Sequence, residues 1–230
     1  MKNILFLSKQ GCVGTNLYLK EKLLMENQIH IAIPQEVENL QLPSPELITY
    51  YRNLENRVLW LDSDVNDYWL EFSRKIIEWN RDDKDIPIEQ RKPIRLMFFS
   101  YGGSLDINNA LIDIIKLSKT PIYGINIGQA CSAACFIYLA CHKRFAFPNA
   151  TFLIHQGEGD GFSGTYAQVV SAVMEYQRKI EELGIYLKEN TKIPEEVLDE
   201  RITTEWFISA QEAVEYGMCD KIIDSLDEVL

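Results

Sequence analysis

Apolar and polar positions along this chain switch repeatedly between two periods, one of strands and one of helices. From about residue 55, RVLWLDSDV reads as a short apolar strand closed by an Asp/Ser turn. NDYWLEFSRKIIEWNRD then repeats Trp69, Phe72, Ile76, Ile77 and Trp79 near helical spacing, with charges between them. RDDKDIPIEQRKP is a charged, proline-marked surface loop. PIRLMFFSYGG is an apolar strand ending in paired glycines, and an amphipathic helix, DINNALIDIIKLSK, begins near Asp106. PIYGINIGQA predicts a strand, SAACFIYLACH a helix, and RFAFPNATFLIHQG two strand pieces around a Pro-Asn turn. A long helical pattern runs from Thr165 to about Asn190. IPEEVLDERITTEWF predicts a shorter helix and a turn, SAQEAVEYGM a helix capped by its serine, and CDKIID a final strand. Strands alternating with helices imply an α/β domain with a largely parallel sheet.

Residues 1–45 are less regular and set off as a divergent N-terminal segment, leaving 46–230 as the α/β domain. ILFL and IHIAIP are candidate strands there, TNLYLKEKLLMEN has a helical rhythm, and QLPSP breaks the pattern. GCVGT at 11–15 lacks the Lys-Ser/Thr ending of a phosphate loop.

Composition narrows the classes. The 230 residues are 47% hydrophobic and 25% charged, as in an ordinary globular protein, and carry a net charge of −11. That balance argues against nucleic acid, whose phosphates need a basic face, and against anionic lipid. No apolar run approaches the roughly 20 residues of a membrane span, and the apolar stretch in MKNILFLSKQG is too short for a signal peptide. Five cysteines without a CxxC pair indicate neither a disulfide framework nor a zinc knuckle. The expectation is a cytoplasmic protein with reduced thiols, no metal and no cofactor.

In a parallel α/β sheet, ligands gather at the carboxyl ends of strands. Three such ends are unusual here. SYGGS follows RLMFF, and its paired Gly102 and Gly103 can expose backbone N–H groups to a developing oxyanion, or can simply make a tight turn. GQACS places Ser132 where a strand passes into a helix; a serine there caps the helix or attacks an acyl carbon. Cys131 beside it competes as nucleophile, but one residue at a helix start turns the side chain by about 100°, so the two cannot face the same base. Of three histidines, His30 lies outside the clear α/β region and His142 sits beside cations, whereas His155 ends the strand TFLI. His155 is therefore the base candidate. Carboxylates are too plentiful for composition to select the group that orients it.

These motifs together resemble the proteolytic subunit of the Clp proteases (ClpP), from about Ile48 to Ile223. ITYYRNLENRVLWL is similar to the family's approach to its first core strand, and SYGG to its Ser-Pro-Gly-Gly, with Tyr101 in place of proline. GQACSAA is similar to the nucleophile motif, RFAFPNATFLIHQ to the run ending in the base histidine, and SAQEAVEYGMCD to the C-terminal helix. The resemblance implies the ClpP/crotonase-like superfold: repeated β-β-α units, a largely parallel sheet and a protruding helical handle at about 157–190. It implies Ser132 as nucleophile, His155 as general base, and Gly103 and Ala133 as oxyanion donors. The family's aspartate falls on Glu205, a departure that adds a methylene, with Asp199 as a substitute.

The same resemblance implies a serine endopeptidase acting on unfolded polypeptides inside a homo-oligomeric chamber of heptameric rings stacked as a tetradecamer. GEGDGFSG would supply the handle's strand and turn, and Val169, Val173, Ile180 and Leu183 are compatible with burial against another subunit. Arg95 and Met97 fall where the family lines a pocket for an AAA+ unfoldase, and an arginine there would charge that pocket. Two alternatives accompany this reading. One is a degenerate subunit that assembles with an active paralogue; the other is a crotonase-like enzyme acting on acyl-CoA.

Overall fold

The computed structural model describes residues 44–157 and 161–229. The elements expected in ILFL, TNLYLKEKLLMEN and IHIAIP lie outside the described residues, as do Cys12 and His30. The described elements are α1 (Pro45–Glu55), β1 (Val58–Leu61), α2 (Leu70–Asp82), β2 (Ile94–Ser100), α3 (Leu105–Leu117), β3 (Ile122–Cys131), α4 (Ala133–Leu139) and β4 (Lys143–Ala146). They continue with β5 (Thr151–Ile154), α5 (Tyr166–Asn190), α6 (Glu195–Arg201), β6 (Trp206–Ser209), α7 (Ala210–Glu215) and β7 (Lys221–Ile222).

The seven strands form one sheet in the order β1-β2-β3-β4-β7, with β5 pairing β3 further along and β6 pairing β5. Every pairing is parallel except β5–β6. Strand β3 is the centre: Tyr123–Asn126 pair with β4, and Gln129–Cys131 pair with β5. Near that change of partner, the β2–β3 register shifts between Phe98 and Phe99. The shift forms a bulge at Ile127 and Gly128.

The apolar runs end where the sheet needs them buried. Leu59, Leu61, Ile94, Leu96, Phe98, Ile122, Ile125, Phe152 and Ile154 are all buried. Helix α2 packs on α3, α3 on α4, and α4 on β2, β3 and β5. All seven residues of α4 are buried. Ser104 caps α3, and Ser209 forms a capping box with Glu212 at α7, as its sequence position predicts.

Three details depart from the sequence reading. Residues Trp206–Ser209, placed partly in a turn, form the edge strand β6; Trp206 and Ile208 point inward and Phe207 outward. Pro45–Glu55, read as a lead-in, is a helix with no buried residue. Within GEGDGFSG, Glu158–Asp160 lie outside the described residues, and the described remainder forms no strand. Along the handle helix α5, Leu183 is buried within the chain itself, Val169 and Ile180 are half-buried, and Val173 is exposed. Met97 is buried in a small cluster with Ile125, Ile223 and Val229, while Arg95 is half-buried.

Candidate active site

Three strand ends converge. Strand β3 leads directly into Ser132, whose N–H donates to Leu153 O of β5 at 2.8 Å. Ser132 has φ 52° and ψ −127°, a conformation that an L residue adopts only at a cost of about 1–3 kcal/mol. Only one other described non-glycine residue, Arg57, has a positive φ. The Ser132 side chain makes no capping hydrogen bond to α4. Its Oγ lies 2.7 Å from His155 Nε2 instead. Capping and activation were both open at this position from sequence, and the observed partner is the histidine.

Strand β2 ends in the SYGG loop, and both glycines are required there. Gly102 has φ 104°, and a Cβ on it would lie 2.6 Å from Ser132 Cβ and 2.7 Å from Cys131 O. Gly103 has φ 147°, and a Cβ on it would lie 2.4 Å from Val65 O. The loop is pinned to Val65, which donates its N–H to Gly102 O and accepts from Ser104 N. The Gly103 N–H takes no part in that bridge. Ala133 N–H, at the first position of α4, has no intrahelical acceptor.

A cavity of about 900 Å³ opens in front of these groups. Gly103, Ser132, His155 and Glu205 line it together with Gln129, Leu153, Phe162, Tyr176 and Phe207. Lys179 of α5 also lines it and pairs with Asp106 at the start of α3, joining the handle to the cavity wall. Glu205 precedes β6 and is exposed. It makes no hydrogen bond to His155, whose Nδ1 has no partner among the described residues. Asp199 is exposed on α6 and does not line the cavity.

The remaining candidates sit elsewhere or are inert. His142 lies away from the cavity; its Nδ1 accepts from Ile122 N–H at 2.9 Å, and burial lowers its pKa. Cys131 does line the cavity, but it is buried. Burial, with Glu205 adding to it, pushes its thiol pKa up, against thiolate formation. Phe162, Tyr176, Lys179 and Phe207 were not singled out from sequence, because they reach the cavity from α5, its preceding loop and the outward face of β6. No local pattern signals such an approach.

The Clp protease family model matches residues 50–226. Among solved structures the chain is similar to an asparagine-to-aspartate mutant of ClpP1 from Listeria monocytogenes. The two share 23% sequence identity over 79% of this chain and 99% of that one, with a TM-score of 0.65. At that identity the likeness speaks for the fold.

Proposed function

Since this chain belongs to the Clp protease family, we propose that it is a serine endopeptidase that hydrolyses unfolded polypeptides or peptides through an acyl-enzyme. The observation that carries this reading is the 2.7 Å contact between Ser132 Oγ and His155 Nε2, made by a serine in a strained turn that caps nothing. Ser132 is the nucleophile, and His155 takes the hydroxyl proton as Oγ bonds to the scissile carbonyl carbon. The carbonyl oxygen becomes an oxyanion facing the N–H groups of Gly103 and Ala133. The imidazolium then protonates the departing amine as the C–N bond breaks. Water, deprotonated by the same histidine, cleaves the acyl-enzyme and restores Ser132.

Glu205 is the orienting carboxylate in this scheme. It lines the same cavity as His155, and its role requires it to accept a hydrogen bond from His155 Nδ1–H. Homo-oligomerisation into heptameric rings, stacked as a tetradecamer, completes the proposal. It is supported by Tyr166, Val170, Val173 and Met174, which stand exposed along the handle. Four free, buried cysteines among the described residues suit a reducing cytoplasm. The half-buried Arg95 puts a charged side chain where an AAA+ unfoldase would dock, which weighs against that partner.

A second reading follows from one observation, the missing Glu205–His155 hydrogen bond: a subunit of weak or no activity that assembles with an active paralogue. Labelling by a fluorophosphonate separates the two. The parent protein is expected to be labelled at Ser132 and to cleave a fluorogenic peptide, and Ser132→Ala to do neither while assembling normally. Undiminished labelling of Ser132→Ala would refute the assignment, and an unlabelled parent would favour the inactive subunit.

A further inference from the structure

We propose that Asn126 is a positioning residue for the Ser132–His155 pair; the inference rests on the peptidase reading above. Asn126 is completely buried in the middle of the sheet, where an amide side chain is costly unless both of its ends are satisfied. Both are. Its Oδ1 accepts from Gly128 N–H at 3.1 Å, and its Nδ2 donates to Thr151 O at 2.9 Å. Its main-chain carbonyl accepts from Phe147 N–H at 2.8 Å.

These partners occupy the place where β3 changes neighbours. Asn126 is the last residue of β3 paired with β4, opposite Ala146, and Gln129 is the first paired with β5, opposite Thr151. Between them Ile127 and Gly128 bulge away from the β2 register. A Cβ on Gly128 would lie 2.6 Å from two atoms of the Phe99 ring, an exposed side chain that would have to turn aside. A bulge takes an N–H off the strand ladder, and Asn126 Oδ1 receives it. The other end of the same amide holds Thr151, the first residue of β5.

One side chain therefore holds both the start of the β3 segment that pairs with β5 and the start of β5 itself, the segments that lead into Ser132 and His155. Asn126 does not line the cavity, so it acts through the backbone and not on substrate. Nucleophile and base must meet within a few tenths of an ångström, and displacement of about 1 Å can cost about 100-fold in rate. Loss of the amide would leave Gly128 N–H unpaired and remove the side-chain tie between β3 and Thr151 O, loosening the bulge and the start of β5 together.

The test uses the full-length protein with Asn126→Leu, which removes both hydrogen bonds while keeping the branched shape of the side chain, and Asn126→Ala, which removes both by truncation. Both are expected to lower the fluorophosphonate labelling rate and kcat on a fluorogenic peptide by about 10- to 100-fold, with KM unchanged within about twofold. Parent-like labelling and turnover in either folded variant would overturn the inference and leave the peptidase reading standing. A rise in KM matching the loss in kcat would overturn it as well. Failure of both variants to fold would do the same, since Asn126 would then serve the fold and not the geometry of the pair. If the parent itself neither labels nor cleaves, the peptidase reading falls and takes this inference with it.

Discussion

Helices α4 and α1 are built on opposite terms. Helix α4 has seven residues, all buried, with Phe136, Ile137, Tyr138 and Leu139 set among three strands and two helices. Helix α1 has eleven residues and none buried; Leu47, Ile48, Tyr50 and Tyr51 stand exposed, and its Leu54 alone packs on the main core. A helix as short as α4 has no stability of its own in water and owes its existence to its neighbours. Those neighbours over-determine its position, which is how the adjoining Ser132 keeps a positive φ. Helix α1 has nothing comparable within the described chain. Reactive geometry sits where packing leaves no alternative, and the loosely held element is remote from it in that sense.

The sharpest way to break this contrast is to disturb the contact between the SYGG loop and the start of α4. Gly102→Ala would drive a methyl group against Ser132 Cβ and Cys131 O. Peptidase activity should fall by at least about 100-fold, measured as kcat/KM on a fluorogenic peptide. Wild-type activity would mean that the loop is not tightly seated.

Next in size is Tyr138→Ala within α4. Tyr138 is fully buried, its ring packs on Phe98 and Phe152, and its hydroxyl donates to Phe145 O at 3.0 Å. Truncation should cost about 3–5 kcal/mol in chemical denaturation. A loss below about 1 kcal/mol would show that α4 repacks easily.

Just beyond α1, Arg57 spans to Asp83 with two hydrogen bonds, of 2.5 and 2.7 Å, and Thr120 also donates to Asp83. This pair ties the residue just beyond α1 to the buried residue at the end of α2. Asp83→Asn should cost about 3 kcal/mol at neutral pH. The hydrogen bond from Arg57 holds the Asp83 carboxyl below the usual carboxylate range. Its contribution is therefore fully present above a pH of about 4, the unfolded value, and is lost as pH falls through the lower folded value. Denaturation midpoints of parent and variant should converge in acid; a gap constant with pH would contradict the assignment.

The smallest effect belongs to α1 itself. Tyr51→Ser should change the stability of the isolated chain by less than about 0.5 kcal/mol. A larger loss, visible only in the assembled protein, would mean that another subunit covers this helix.

The same contrast explains what could be read from sequence. Alternation of strands and helices marked the sheet, because the buried strands are continuous apolar runs and α2 and α3 carry clear stripes. Helix α1 went unread since no packed face separates Leu47 and Tyr51 from a lead-in segment. Strand β6 is only four residues long, too short for the alternation of Trp206, Phe207 and Ile208 to stand out from the preceding helix. Ser132, His155 and the glycine pair were legible because each ends a strand, and strand ends are local features. That β3 exchanges β4 for β5 at Asn126 is not local, and a polar residue inside an apolar run gives no hint of which strand it will hold.

Burial around α4 has a further consequence for reactivity over time. Cys135 lies within the helix, Cys131 and Cys141 flank it, and Cys219 is buried as well; all four are free. Burial raises the pKa of every one, so none is ionised near neutral pH, and Cys135 and Cys219 are also away from the active-site cavity that Cys131 lines. At those two a thiol-alkylating reagent can act only during transient openings, and its rate there becomes a clock for how often the heart of the domain comes apart.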